Sequence, residues 1–133
     1  MKVLLVNGGP HVKGCTYTAL AEVEKTLNKE GIETEIFWVG VKPIASCISC
    51  RTCAETKKCV FNDCVNEFLD KAKDFDGFIF GTPVHYAGAT GAITSFMDRA
   101  FFTDFLSGRK TFWLKPAAAV ISARRAGTTA AFD

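Results

Sequence analysis

Lys2 to Asn7 (KVLLVN) is a continuous apolar run that stops at Gly8-Gly9-Pro10. A strand with one wet face alternates polar and apolar residues. A continuous run describes a strand buried on both faces, and such strands belong to parallel sheets covered by helices. The next stretch supplies a cover: across residues 16–30, Ala19, Leu20, Val23 and Leu27 recur at helical spacing, and Gly31 stands where a C-terminal cap belongs. Residues 33–39 (ETEIFWV) predict a second strand. Residues 41–59 show no periodicity and read as a long loop. Asp63 is an N-cap for a second helix, whose apolar face is Val65, Phe68, Leu69, Ala72 and Phe75. A turn at Asp76-Gly77 leads into a third strand, residues 78–81. Thr90 caps a third helix with Ile93, Phe96, Met97, Ala100 and Phe101 inward, and residues 117–121 (AAAVI) form a fourth short strand.

Strands alternating with helices predict an α/β fold, a doubly wound parallel sheet. A flavodoxin-like sheet has five strands. The sequence shows four, so the expectation is one domain over residues 1–133, C-terminally shortened. Apolar residues at 48%, charged residues at 23% and a net charge of +2 exclude disorder, collagen and coiled coil, and leave no basic stripe for nucleic acid. No apolar run approaches the ~20 residues that span a bilayer, and the N-terminus lacks a cleavage site, so a cytoplasmic protein without membrane contact is expected. Twelve phenylalanines and six cysteines stand out; in such a compartment the cysteines point to metal or redox chemistry before disulfides.

Two loops leave the same edge of the predicted sheet. The first, residues 8–18, joins a strand to a helix start, where free N–H groups and the helix dipole converge on anions. Its glycines let the backbone curl around a phosphate, and Thr16 and Thr18 bring hydroxyls. It matches neither the Walker loop nor the dinucleotide fingerprint, and a plain Gly-rich turn with threonine caps remains the simpler alternative. The second loop, residues 81–91, lies across the switch point from the first. A flat ring can rest on Thr82, Pro83 and Val84 with His85 or Tyr86 beside it; the alternatives are a surface histidine and a packing tyrosine.

The segments VLLVNGGPHVKGCTYTAL and DGFIFGTPVHYAGATGAITSFMDRAF resemble the NADPH-dependent FMN reductase and flavodoxin-like family. The family's second-loop pattern is matched at Gly81, Thr82, Pro83, Val84, Tyr86, Gly91, Ile93, Phe96, Met97, Asp98 and Arg99, with His85 at a tyrosine and Thr94 at a lysine. The first keeps Gly8, Pro10, Gly14 and Thr16, while Gly9, His11 and Cys15 replace serine, arginine and asparagine. Residues 122–129 resemble a third flavin-facing loop. The resemblance implies FMN, with its phosphate held by Gly9, Pro10, His11, Gly14, Cys15, Thr16, Tyr17 and Thr18. Its ring would lie against Thr82, Pro83, Val84, His85, Tyr86, Ser122, Arg124, Arg125 and Gly127. NAD(P)H would reduce the flavin, which would reduce a small-molecule or protein electron acceptor. No side chain need be catalytic, because the flavin carries the chemistry. Arg124 and Arg125 are placed either to balance charge on the reduced flavin or as a solvated pair.

Cys47, Cys50, Cys53 and Cys59 form a compact run, with Cys64 beyond it. Three-residue spacing lets one loop wrap a cluster. The run resembles the motif of iron–sulfur flavoproteins, which implies a [4Fe-4S] cluster and makes an electron-carrying flavoprotein the alternative function. Empty thiols or a tetrahedral zinc site are the other readings, and a non-catalytic flavodoxin-like module is the alternative of another class. The fourth strand, AAAVI, carries no charge or proline to guard a sheet edge, so a homodimer or larger homo-oligomer is expected.

Overall fold

The computed structural model describes residues 1–133, and no helix in it is long and apolar enough to cross a membrane. Its elements are β1 (Lys2–Asn7), α1 (Cys15–Lys29), β2 (Glu33–Trp38), α2 (Cys53–Thr56), α3 (Cys64–Ala72), β3 (Gly77–His85), β4 (Gly88–Ala89), α4 (Gly91–Ser107), β5 (Ala117–Ser122) and α5 (Thr128–Phe132). Four strands pair in parallel in the order β2-β1-β3-β5. The chain leaves β1 outward to β2 and returns on the other side to β3. The switch point of this flavodoxin-like, doubly wound sheet is therefore between β1 and β3, and a ligand crevice belongs at their carboxyl ends.

The two buried faces of β1 explain its unbroken apolar run. Leu4 and Val6 face α3 and α4, packing with Phe68, Leu69, Ile93 and Phe96, whereas Val3 and Leu5 face Leu20 of α1. The phenylalanine excess sits mainly on the first side. Phe68 lies 4.9 Å from Phe96, 5.5 Å from Phe37 and 6.1 Å from Phe112 between ring centroids. Each such ring, fully buried, contributes about 2 kcal/mol from area alone. Both predicted N-caps form: Asp63 accepts from Val65 N–H and Thr90 from Ile93 N–H.

Three expectations need correction. The loop over residues 41–59 contains the short helix α2. β3 runs on to His85, so Thr82 to His85 are strand, and β4 returns antiparallel with Val84 opposite Ala89 and His85 opposite Gly88. The two residues at this hairpin's tip, Tyr86 and Ala87, have φ of 49° and 68°. A two-residue hairpin of this hand usually carries Asn-Gly; with Tyr-Ala there is no turn signal to read, and the backbone is strained where it borders the crevice. Finally, Phe101 is exposed on the α4 face that opens toward residues 108–114.

Candidate functional site

The first loop is built by residues that hold it from below. Asn7, wholly buried at the end of β1, accepts from Gly9 N–H at 3.0 Å. Trp38 at the end of β2 donates its indole N–H to the Gly9 carbonyl at 2.9 Å, and Thr90 donates to the Gly8 carbonyl at 3.4 Å. Gly8 must be glycine: a Cβ there would stand 2.9 Å from the Gly81 carbonyl and 2.8 Å from Ile93 Cδ1. This close approach seats the head of α4 against the end of β1.

At the head of α1, Gly14 is the cap and offers no side chain. The amides of Cys15, Thr16 and Tyr17 have no acceptor within the chain. Three such donors on the positive end of a 15-residue helix make an anion site. Thr16 is buried and its hydroxyl shares a 3.0 Å hydrogen bond with Ser122 at the end of β5. Thr18 is exposed and its hydroxyl is spent on the Gly14 carbonyl at 3.1 Å.

A cavity of about 220 Å³ opens over these amides, lined by Gly9, Pro10, His11, Gly14, Cys15, Thr16, Pro83, His85 and Ser122. A second, of about 370 Å³, shares Pro10 and His85 with it and reaches Gly40, Lys42, Ile44, Thr90 and Gly91. The crevice thus joins all three expected loops and has the size of a ligand pocket. The donor set fits a phosphate, and the walls at Pro83 and His85 fit a flat ring, so the residues present suit FMN.

Other expected residues stand apart. Tyr17 and Thr18 do not line the cavity. The Thr82 hydroxyl faces inward, donating to the Pro83 carbonyl and accepting from Thr90 N–H. Val84 packs against Gly127, where a Cβ would come within 2.8 Å of Val84 Cγ1, so these two clamp the third loop to the hairpin. Tyr86, Arg124 and Arg125 project into solvent. The segment from Gly40 to Ile44 escaped sequence reasoning, although the loop after β2 necessarily leaves the same sheet edge as those after β1 and β3. A cavity of about 550 Å³ among Phe101, Phe105, Phe112, Trp113 and Leu114 lies at the far end of α4 from the glycine loops.

The cysteine run folds into a second site. Ser49 and Arg51 adopt left-handed φ of 54° and 61°, bending the chain so that Cys47, Cys50, Cys53 and Cys59 all line one cavity with Arg99. The space between them is only about 20 Å³, roughly one water. No three His, Cys, Asp or Glu side chains stand close enough to share one metal ion. The donor chemistry suits a cluster, whose cube spreads its four sulfur ligands further apart than one ion does; the packing between the thiols suits it only if the 47–59 segment moves outward. Hydrogen bonds from the Thr52 side chain, then its backbone, lower the pKa of exposed Cys50. Cys64 lies outside this cavity, half-buried at the start of α3.

The family described as NADPH-dependent FMN reductase matches residues 1–133. An iron-sulfur flavoprotein of Methanocaldococcus jannaschii is 38% identical over 100 residues, covering 75% of this chain and 52% of its own. A crystal structure of RosB with a bound formylated riboflavin-phosphate intermediate superposes with a TM-score of 0.76 at 19% identity, over 98% of this chain and 55% of that one. The flavoenzyme NAD(P)H:(acceptor) oxidoreductase from Paracoccus denitrificans superposes with a TM-score of 0.65 at 17% identity, over 90% and 59%. At these identities the two structures show the shared fold. The chain spans about half the length of the curated relatives it matches.

Proposed function

The chain belongs to the NADPH-dependent FMN reductase family, and from that premise we propose that it is an FMN-dependent oxidoreductase, taking reducing equivalents from NADPH or NADH and passing them to a small-molecule or protein acceptor. The observation that carries this reading is the trio of unpartnered amides at Cys15, Thr16 and Tyr17 under a cavity at the switch point. Bound FMN supplies the hydride chemistry. The protein's part is to bind and orient. The three amides and the α1 dipole receive the phosphate; the Thr16–Ser122 bond fixes the cavity floor; Pro83 and His85 wall the ring side. Six unpaired thiols suit the reducing cytoplasm. Anaerobic mixing of the FMN-loaded chain with NADPH and, separately, NADH tests the proposal. Loss of the flavin's visible absorbance with either one is the expected result; bound flavin that neither bleaches points to a binding module without reductase activity.

A second reading is favoured by a specific observation: all four cysteines of the compact run line one cavity. We propose that they hold a [4Fe-4S] cluster, as the names of the iron-sulfur flavoproteins similar to this chain suggest. The two sites are neighbours. Ile44 lines the crevice, and Cys47, three residues on, donates its backbone N–H to the Asp98 carboxylate of α4 at 3.0 Å. Along α4, Asp98 lies about 10 Å from Gly91 at the crevice, at 1.5 Å per residue.

A further inference from the structure

Trp38 closes β2 and Asn7 closes β1, and the two stand opposite each other across the sheet. Successive residues of a strand alternate between its faces. Ile36 and Leu5 pack on the α1 side, so Trp38 and Asn7, two residues on, face that side too. Both side chains reach the same residue of the loop above them. The Asn7 carboxamide oxygen accepts from Gly9 N–H at 3.0 Å, and the Trp38 indole N–H donates to the Gly9 carbonyl at 2.9 Å. Gly9 is buried and has little room on its α-carbon: a Cβ would stand 3.1 Å from Asn7 Oδ1 and 3.3 Å from Thr16. Pro10 follows and has no N–H, so the Gly9 carbonyl is the one polar group of the peptide unit that joins them. Its donor, Trp38, lines neither cavity of the crevice, although Gly9 and Pro10 line the one over the α1 amides. The indole therefore draws this carbonyl toward the sheet and away from the anion site.

We propose that Trp38 is a positioning residue for phosphate binding: it keeps the Gly9 carbonyl turned out of the cavity, so that a phosphate meets the amides of Cys15, Thr16 and Tyr17 with no carbonyl opposing them. The inference rests on the FMN reading above and adds a residue to it. A peptide carbonyl is the negative end of a dipole of about 3.5 D, and a phosphate oxygen facing it is repelled. A buried carbonyl that loses its donor must find another partner. For Gly9 the nearest solvent is the cavity over α1, and glycine has the backbone freedom to let the peptide turn. Loss of one N–H beneath the loop thus places a negative dipole end in the anion site, with no change in any residue that lines it.

The test compares FMN and riboflavin titrations, followed by flavin fluorescence, for three forms of the chain. All carry Trp113→Phe, which leaves Trp38 as the one tryptophan of the original two. The parent keeps Trp38. The second form is Trp38→Phe. In the third, 3-benzothienylalanine replaces Trp38 by incorporation in a tryptophan auxotroph; it keeps the shape of indole and puts sulfur in place of the N–H. The parent should prefer FMN to riboflavin by about tenfold or more. Both altered forms should lose about fivefold or more of that preference, with riboflavin affinity unchanged, which also shows that they fold. Where Trp38→Phe fails to fold, the isostere decides. A parent that binds both flavins equally, or neither, overturns the phosphate reading and this proposal with it. A parent that prefers FMN, beside an isostere form that prefers it as strongly, overturns the role of Trp38 and leaves the FMN reading standing. Equal weakening of both flavins in the isostere form makes Trp38 a support of the fold and likewise overturns its part in phosphate binding.

Discussion

Burial, reinforced by the carboxylates of Asp63 and Glu67, pushes the Cys64 thiol from an ordinary 9.0 up to about 11. The folded state thus holds this proton more tightly than the unfolded chain does. Its contribution to stability is complete below pH 9 and is lost as pH rises toward 11. Urea midpoints measured across that window should fall for wild type and fall less steeply for Cys64→Ala; equal slopes would remove Cys64 from the account. Other single residues matter more to the site and are harder to read. Asn7 and Trp38 shape the loop after β1, yet each simply ends a strand, so neither carries a motif. Arg99 is legible in the family pattern as a residue but not as an anchor, because its partners at Ala45, Cys59 and Asp63 are distant in sequence.

At the scale of elements, helices and strands follow from periodicity and capping, and Asp63 and Thr90 cap where the sequence places them. The misreadings fall where tertiary contact overrides local preference. β3 extends because β5 pairs with Thr82 and Pro83 and the β4 return pairs with Val84 and His85, and the hairpin tip tolerates left-handed tyrosine and alanine without glycine. The loops after β1 and β3 are legible because topology alone sends them to one edge; the 40–44 segment follows the same rule without a motif to mark it. The α3–α4 junction hinges on Asp63, which caps one helix and neutralises a buried arginine on the other. Asp63→Ala should therefore cost about 3 kcal/mol or more, since a lone cap contributes about 1 and an unpaired buried charge far more. Chemical denaturation checks this, and a loss below about 1 kcal/mol would show that Arg99 is not dependent on its partner.

For the whole molecule, the sheet leaves β5 at its edge, with Ala117, Ala118 and Ala119 exposed, and apolar Phe105, Trp113 and Leu114 are exposed in the stretch before it. Unguarded edges and apolar surface of this kind favour association. Sedimentation of the 133-residue chain at micromolar concentration should show a dimer or larger species; a stable 14.5 kDa monomer would contradict it. The central claim is that the chain binds FMN through the head of α1. Its most direct measurement is a pair of equilibrium titrations following flavin fluorescence, one with FMN and one with riboflavin, which has the same ring and no phosphate. Charge-assisted bonds from backbone amides are worth about 1.5–3 kcal/mol each, so FMN should bind one per chain and riboflavin at least tenfold more weakly. Equal affinity for both, or no binding of FMN, would contradict the account.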